Sequence, residues 1–187
     1  MSLQGKHVAI LIAPRGTEDS EFTQPRQALQ AAGAKVTVLG LEDGQAETFR
    51  NDLDPAGKHR VDALVAAASA GDFDAVVIPG GTVGADKLRA ETAVTALVKA
   101  LAASGKPVAA ICHGPWVLVE AGVAEGRKLT SFPSLKTDIG NAGGHWVDEE
   151  VVVDGGLITS RTPDDLPAFN AKLVEEIAEG EHPGQTV

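Results

Sequence analysis

The chain has 187 residues and a formal net charge of −10 at pH 7, with 43 % hydrophobic and 22 % charged residues. This composition is ordinary for a globular domain, and an acidic chain lacks the basic stripe of a nucleic-acid groove. The single cysteine excludes an internal disulfide, and no apolar run approaches the roughly 20 residues of a membrane helix. No apolar signal-peptide region lies near the start, so we expect a cytoplasmic protein without membrane contact. We also expect a single domain over residues 1–187, with a mobile tail from about residue 180.

Strands and helices alternate through the first half of the chain. Short apolar runs predict strands, and apolar residues at helical spacing after a capping residue predict helices. The successive predictions are a strand over 6–13, a loop over 14–19, a helix from 19 or 20 to 33, a strand over 35–39, a short antiparallel excursion over 46–50 and a short helix over 63–69 that Asp62 can cap.

The second half continues the alternation. The predictions are a strand over 74–78, a loop or short helix over 82–88, a helix over 93–104, a strand over 108–111, a helix over 116–121, a strand over 129–132, a helix over 134–141, strand character over 145–153, a strand over 157–160 and a helix from 163 to about 178. Such alternation favours an α/β fold, in which a parallel sheet carries helices on both faces. Parallel sheets bind ligands and react at the carboxyl ends of their strands. Residues 14–19, 79–81 and 112–113 all follow strands, so we expect these loops to meet.

Cys112 lies where the apolar strand Val108–Ile111 turns abruptly into a helix that Pro115 can begin. A sharp strand-to-helix turn of this kind, a nucleophile elbow, presents one side chain over the end of a parallel sheet. A helix N-terminus stabilises a nearby thiolate and lowers its pKa, and the adjacent His113 can relay a proton. The alternative is that a lone cysteine is a small buried hydrophobe. The elbow pattern favours a reactive thiol.

Two other loops can supply groups to this thiol. Gly80 and Gly81 end a strand, and without side chains they let the backbone point N–H groups at a ligand. An oxyanion hole would combine an N–H there with one at the elbow, that of His113, although a plain turn is the simpler explanation in isolation. Glu18 follows the first strand, where its carboxyl could face the sulfur. On the residues alone, a solvated helix start explains Glu18 better.

The remaining motifs carry little chemistry. No Gly-Lys-Ser/Thr follows the glycine pair, so it is not a phosphate loop. His145 is a weaker catalytic candidate, because it stands beside Trp146 and such histidines are more often structural. The histidines are scattered and no Cys-x-x-Cys pair exists, so we expect no metal and no cofactor.

Four segments together resemble the PfpI family, within the class I glutamine amidotransferase-like superfamily. The resemblance runs over nearly the whole chain, and the Cys-His-Gly motif at an elbow is its most specific part. The segments are Thr17-Glu18-Asp19-Ser20-Glu21-Phe22, Val76-Val77-Ile78-Pro79-Gly80-Gly81, Ala109-Ala110-Ile111-Cys112-His113-Gly114-Pro115-Trp116 and Thr159-Ser160-Arg161-Thr162-Pro163-Asp164-Asp165.

The resemblance implies a flavodoxin-like, three-layer α/β sandwich with a mostly parallel central sheet. It implies that Cys112 is the nucleophile, that Glu18 hydrogen-bonds it, and that His113 is the catalytic histidine. Backbone N–H groups of Gly81 and His113 would then form the oxyanion hole. In the family the carboxylate that orients the histidine comes from a neighbouring subunit, and Asp86 is the best match. The site would lie at the interface of a homodimer or a larger homo-oligomer.

Three functions fit these residues. The first is a stress-response cysteine hydrolase of deglycase or glyoxalase type, which acts on glycated or methylglyoxal-derived adducts. The second is an intracellular cysteine peptidase, and the third is a redox-sensing or holding chaperone without turnover. The enzyme functions share all their residues, so we expect only that the partner is a small-molecule or peptide substrate. A narrow pocket at an interface would disfavour large protein substrates and favour small adducts.

Overall fold

A computed structural model describes residues 1–183 as alternating strands and helices. The strands are β1 (His7–Ile12), β2 (Arg15–Glu18), β3 (Lys35–Gly40), β4 (Gln45–Arg50), β5 (Asp54–Arg60), β6 (Ala63–Leu64), β7 (Ala75–Ile78), β8 (Val108–Ile111), β9 (Lys128–Leu129), β10 (His145–Trp146), β11 (Val151–Asp154) and β12 (Leu157–Ser160). The helices are α1 (Asp19–Ala31), α2 (Thr82–Arg89), α3 (Thr92–Ala103), α4 (Pro115–Glu120), α5 (Lys136–Asn141) and α6 (Leu166–Glu179). Within this described part, no helix has both the length and the apolar character needed to cross a bilayer.

Seven strands form the central sheet, in the order β11-β12-β8-β7-β1-β3-β6. All neighbouring pairs are parallel except β11 and β12 at one edge, which are antiparallel. The inner strands β7 and β8 are buried along their whole length. This explains their continuous apolar runs, because strands covered on both faces have no solvent side. The predicted mostly parallel sheet is confirmed.

Side chains of the sheet alternate between two cores. In β1, Val8, Ile10 and Ile12 pack with α1 and α6, whereas Ala9 and Leu11 belong to the core under α2, α3 and α4. The alternation follows because successive residues of a strand point to opposite faces. Helices therefore cover both faces of the sheet, which confirms the predicted three-layer, flavodoxin-like sandwich.

A second, three-stranded sheet adjoins the carboxyl end of β1. In it β4 and β5 form an antiparallel hairpin, and β2 pairs with β4 in parallel. The predicted excursion over 46–50 is confirmed as β4. The predicted loop over 14–19 is wrong for Arg15–Glu18, because the backbone of these residues pairs with Glu47–Phe49. The tip of the hairpin, residues 51–53, is thereby held beside the ends of the central strands.

The helix predicted over residues 63–69 is also wrong. Ala63–Leu64 form the edge strand β6, and Val65–Ala67 form a single 3₁₀ turn. Asp62 was expected to cap the helix, but its Oδ2 accepts a hydrogen bond from the backbone N–H of Val38 at 2.9 Å. The side chain therefore ties the segment to β3 instead of starting a helix.

The strand predicted over 129–132 is shorter than expected. Only Lys128–Leu129 are in a strand, and they pair with β10 outside the central sheet. Beyond them the backbone N–H of Thr130 donates to Thr159 Oγ1 at 2.9 Å. A side chain of β12 thus replaces the backbone partner that a longer strand would need.

The last described residues are attached to the loop before β8. The backbone N–H of His182 donates to the carbonyl of Gly105 at 2.7 Å. The predicted mobile tail from about residue 180 therefore includes an anchored residue, and its last part, residues 184–187, lies outside the described residues.

Leucine truncation on α6 tests the core. Leu173 is fully buried on this helix, whereas Leu53 at the hairpin tip is 82 % exposed. We expect Leu173→Ala to lower the free energy of unfolding in urea by about 2–5 kcal/mol, because it removes buried methyl groups and leaves a cavity. The matched variant Leu53→Ala should change it by less than about 0.5 kcal/mol. Equal losses in the two variants would contradict the placement of α6.

Candidate active site

Cys112 lies in a left-handed turn directly after β8. Its φ is +61°, a conformation that side-chain-bearing residues rarely adopt. Gly114 makes the turn possible, because a Cβ there would lie 2.5 Å from the carbonyl oxygen of Ile78. The sharp turn predicted between strand and helix is present, and α4 begins at Pro115. The residue is only 7 % exposed, so the sulfur is reached through a cavity and not from an open surface.

A cavity of about 360 Å³ opens onto this sulfur. It combines residues that follow β1, β4, β7 and β8, as expected for the carboxyl edge of a parallel sheet. The lining residues are Glu18, Glu21, Asn51, Asp52, Gly81, Thr82, Cys112, His113, Phe132 and Pro163.

The carboxyl group that contacts the sulfur is that of Glu21, so the assignment of this role to Glu18 is wrong. Glu21 is fully buried and lies beside Cys112, where its side chain acts on the pKa of the thiol, and its Oε1 has no hydrogen-bond partner among the described residues. Its Oε2 accepts the backbone N–H of Gly80 at 2.8 Å. Glu18 instead ends β2, and its carboxylate accepts the backbone N–H of Asn51 at 3.0 Å.

The position of Glu21 follows from the helix that carries it. Glu21, Phe22, Pro25 and Leu29 are the buried residues of α1, at helical spacing on one stripe. A carboxyl in the apolar stripe of a helix is the signal that could have identified it. Glu18 precedes the helix and has no place in this stripe.

Burial controls the protonation of the Glu21–Cys112 pair. It raises the pKa of Glu21 to about 8, against an opposing hydrogen bond from the Gly80 N–H. Burial is also the largest cause that raises the pKa of the Cys112 thiol, and a charge on Glu21 raises it further. The sequence predicts a lowered pKa for this thiol, and that prediction is therefore wrong for the cavity of a single protomer. At neutral pH the Glu21 carboxyl holds its proton and can donate it in a hydrogen bond to sulfur.

Backbone N–H groups also face the sulfur. Those of Gly81 and His113 hydrogen-bond Cys112, and both lower its pKa. Gly80 was included among the predicted oxyanion donors, but its N–H is occupied by Glu21. A glycine is required at position 80 because a side chain would not fit there. A Cβ would lie 2.7 Å from Cys112 Cβ and 2.8 Å from the backbone nitrogen of His113. The oxyanion role of Gly81 and His113 stays a prediction.

His113 can accept the thiol proton. Its Nδ1 lies 3.1 Å from Cys112 Sγ. The ring stacks on Phe132, with centroids 4.7 Å apart, and meets the edge of Trp116. Burial lowers the pKa of His113, while the charge of Asp52 raises it. The ring is therefore a neutral acceptor held in one orientation.

The other predicted residues lie away from the sulfur. Asp86 is exposed on α2, and its carboxylate pairs with Arg89 Nη2 at 2.9 Å. Its contact with a histidine of a neighbouring subunit stays a prediction. His145 is exposed in β10 and does not line the cavity. Within the described protomer, the carboxylate whose charge acts on His113 is Asp52, which the sequence analysis did not select.

One group with metal-ligand spacing is present among the described residues, far from the cavity. Ligand atoms of Glu176, Glu179 and His182 lie within 4.8 Å of one another. His182 is hydrogen-bonded to Gly105, which lies before the N-terminal end of β8, whereas Cys112 follows the C-terminal end of the same strand. The group therefore contributes nothing to the Cys112 site.

A buried acid, an adjacent histidine and a cysteine in a left-handed turn can be compared with known families. The model of the DJ-1/PfpI family matches residues 6–176. The chain belongs to the DJ-1/PfpI family. The predicted family resemblance is confirmed.

Curated relatives and solved structures of this family are similar over nearly the whole chain. General stress protein 18 of Bacillus subtilis is 42 % identical over 167 residues, covering 89 % of this chain and 94 % of the relative. Protein/nucleic acid deglycase 2 of Escherichia coli is 42 % identical over 170 residues, covering 90 % and 96 %. The crystal structure of Drosophila melanogaster DJ-1beta has a TM-score of 0.80 and 36 % identity, covering 96 % of this chain and 95 % of that one.

The buried Glu21 should make stability depend on pH. Its ordinary pKa is 4.5 and its pKa in the fold is about 8, so the folded chain holds a proton that the unfolded chain releases in between. The stabilising effect is complete below about pH 4.5 and is lost as pH rises to about 8. Each pKa unit is worth about 1.4 kcal/mol, so we expect a loss of a few kcal/mol.

Urea unfolding of wild type and Glu21→Gln at several pH values measures this effect. The glutamine keeps a neutral donor but cannot titrate, so its stability should fall less over the same interval. Glu18→Gln, which changes a half-buried carboxyl, is the control and should follow wild type more closely. Parallel pH curves for wild type and Glu21→Gln would contradict a protonated buried carboxyl.

Proposed function

We propose that the protein is a stress-response hydrolase that uses Cys112 as nucleophile on small carbonyl compounds, namely methylglyoxal and the adducts it forms on amino and thiol groups. One observation carries the proposal. Within one cavity the sulfur has a base, His113 Nδ1, at 3.1 Å, a protonated acid in Glu21 and two backbone N–H groups facing it. These are the components of nucleophilic acyl and carbonyl chemistry.

The steps follow from these positions. The S–H bond of Cys112 breaks and its proton passes to His113 Nδ1, while sulfur bonds to the substrate carbonyl carbon. The carbonyl electron pair moves to oxygen, which the N–H groups of Gly81 and His113 stabilise. Glu21 donates its hydrogen bond to sulfur and so limits the cost of negative charge there. The oxyanion takes the proton from His113, which gives a hemithioacetal; an adduct reaches the same species after its amine or thiol has left with a proton. His113 then carries a proton from the former aldehyde carbon to the neighbouring ketone carbon through an enediol, so that the first carbon is oxidised, the second is reduced and a 2-hydroxyacyl thioester forms. Water attacks the thioester carbon, the C–S bond breaks, the 2-hydroxy acid leaves, and the sulfur regains its proton.

The size of the cavity supports small substrates. A volume of about 360 Å³ is near the lower end of the range for small-molecule sites. Cys112 is nearly covered, so an extended protein segment would have to displace the hairpin tip to reach it. The relative named protein/nucleic acid deglycase 2 supports the same choice, whereas another relative, from Bacillus subtilis and 41 % identical, is named a putative cysteine protease. We therefore base the preference for adduct hydrolysis over a peptidase on the small, enclosed cavity.

The redox-sensing or holding chaperone remains the second candidate. Its support is that the protonated carboxyl of Glu21 could hydrogen-bond a sulfinate formed on Cys112, since an accessible thiol oxidises by this route. The chain has one cysteine, so a sulfenic acid could not be resolved by an internal disulfide. Turnover measurements separate the two candidates.

Substitution of Cys112 tests the hydrolase. We expect purified protein to consume methylglyoxal without glutathione, and Cys112→Ser and Cys112→Ala to lose at least about a hundredfold in kcat/KM, because the nucleophile is gone. Wild type alkylated with iodoacetamide should lose activity in the same way, since the chain has one cysteine.

Casein hydrolysis and suppression of aggregation are measured on the same samples. Casein hydrolysis that depends on Cys112, without loss of methylglyoxal, would favour a peptidase. Suppressed aggregation that is unchanged in Cys112→Ala, again without turnover, would favour the chaperone. Methylglyoxal turnover that survives both Cys112 substitutions would refute nucleophilic catalysis here.

A further inference from the structure

The tip of the β4–β5 hairpin reaches into the cavity with two residues in the left-handed region. Asn51 has φ +51° and Asp52 has φ +64°. Asparagine and aspartate tolerate this conformation better than other side-chain-bearing residues. The N–H of Asn51 donates to Glu18 Oε2 at 3.0 Å, which anchors the tip to the end of β2. Asp52 is thereby turned toward the start of α2.

Both carboxylate oxygens of Asp52 are used on one residue, Thr82. The backbone N–H of Thr82 donates to Oδ1 at 2.7 Å, and its hydroxyl donates to Oδ2 at 2.8 Å. Thr82 is the first residue of α2 and directly follows Gly81, whose N–H faces the sulfur. A carboxylate from a distant hairpin therefore fixes a residue at the centre of the site.

The hydroxyl of Thr82 also contacts the ring of His113. Thr82 Oγ1 lies 3.4 Å from His113 Nε2. Because the hydroxyl proton is committed to Asp52, the oxygen is left as an acceptor toward His113. It then favours the tautomer with the proton on Nε2, which leaves Nδ1 free to accept the thiol proton at 3.1 Å. A second hydroxyl, Ser134 Oγ, lies 3.5 Å from the same nitrogen but has no carboxylate beside it in the described contacts.

We propose that Asp52, acting through the Thr82 hydroxyl, is the carboxylate that orients His113, so that a Cys112–His113–Thr82–Asp52 chain is completed within one protomer. Neither residue touches the substrate in this proposal, so both are positioning residues. The inference rests on the proposed function for its catalytic consequence, and it replaces the role that the family resemblance implied for Asp86.

The charges around His113 fit this assignment. When the thiol proton moves to Nδ1, the ring becomes a cation, and the Asp52 carboxylate offsets that charge across the threonine oxygen. Charged and titratable groups face the ring or its neighbours from several elements. They are Cys112 after β8, Glu18 at the end of β2, Glu21 on α1, Asp52 at the hairpin tip, Arg89 of α2, which lies over the Trp116 ring, and Asp138 of α5, which accepts a hydrogen bond from Trp116 Nε1. Of these, only Asp52 is tied to a group that contacts Nε2.

Nitrogen NMR of the His113 side chain tests the proposal directly. Wild type should show the Nε2–H tautomer, and Thr82→Val should lose that preference while Thr82→Ser retains it. Asp52→Asn should lower the pKa of His113, because it removes the carboxylate charge. Asp54→Asn removes the same charge from an exposed position on the same hairpin, and it should leave the histidine unchanged.

Kinetics on methylglyoxal give the second readout. Asp52→Asn and Thr82→Val should each lower kcat by about tenfold with little change in KM, because the histidine base loses its orientation and substrate binding is unaffected. Thr82→Ser should stay within about twofold of wild type. If wild type turns over nothing while the spectra respond as stated, the proposed function fails and the positioning role stands.

Three results would overturn the proposal. The first is an unchanged His113 tautomer in Thr82→Val. The second is an unchanged His113 pKa in Asp52→Asn. The third is a lowered His113 pKa in Asp86→Asn but not in Asp52→Asn, since the orienting carboxylate would then come from the neighbouring subunit.

Discussion

A carboxyl group buried against a sulfur atom is the constraint around which the rest of the site is built. An ionised carboxylate with no compensating partners would cost several kcal/mol at this depth, so Glu21 keeps its proton and gains the N–H of Gly80. The left-handed backbone of Cys112 adds a further cost of about 1–3 kcal/mol. A side chain at position 80 or 114 would collide with neighbouring atoms, because the ends of β7 and β8 lie close together there, and both positions are therefore glycine. The surrounding sheet holds together a pair that would not form on its own.

The second, three-stranded sheet encloses the cavity around Cys112 on one side. The central sheet alone would leave the sulfur at an open edge, as it does in the simplest view of a parallel α/β fold. Because β2 pairs with β4, the hairpin is folded back toward the strand ends, and its tip supplies Asn51 and Asp52 to the cavity. The enclosure explains why the sulfur is nearly covered and why the His113 ring packs against two aromatic rings, and it is the reason that we propose small substrates.

Local pattern predicts the central sheet well because its strands are buried on both faces. Val108–Ile111 and Leu157–Ser160 were predicted with the bounds that the structure has. The sequence pattern gives a wrong prediction where a tertiary hydrogen bond determines the local structure. Asp62 is an example, because it accepts a hydrogen bond from β3 and does not cap a helix. The choice between Glu18 and Glu21 depends on where α1 begins, because Glu18 ends β2 and only Glu21 lies on the buried stripe of the helix, and family resemblance alone assigned it wrongly. Asp52 could not be found, since its partner Thr82 is thirty residues away and the hairpin carries only turn signals.

The central claim is that Glu21 is a protonated acid beside Cys112 at neutral pH. Infrared spectra of wild type and Glu21→Gln at about pH 7 test it most directly, because a buried protonated carboxyl has a C=O stretch separate from those of ionised carboxylates. The account predicts such a band in wild type, its absence in Glu21→Gln and its loss as the pH is raised beyond about 8. A wild-type spectrum without the band, or a band that persists in Glu21→Gln, would contradict it.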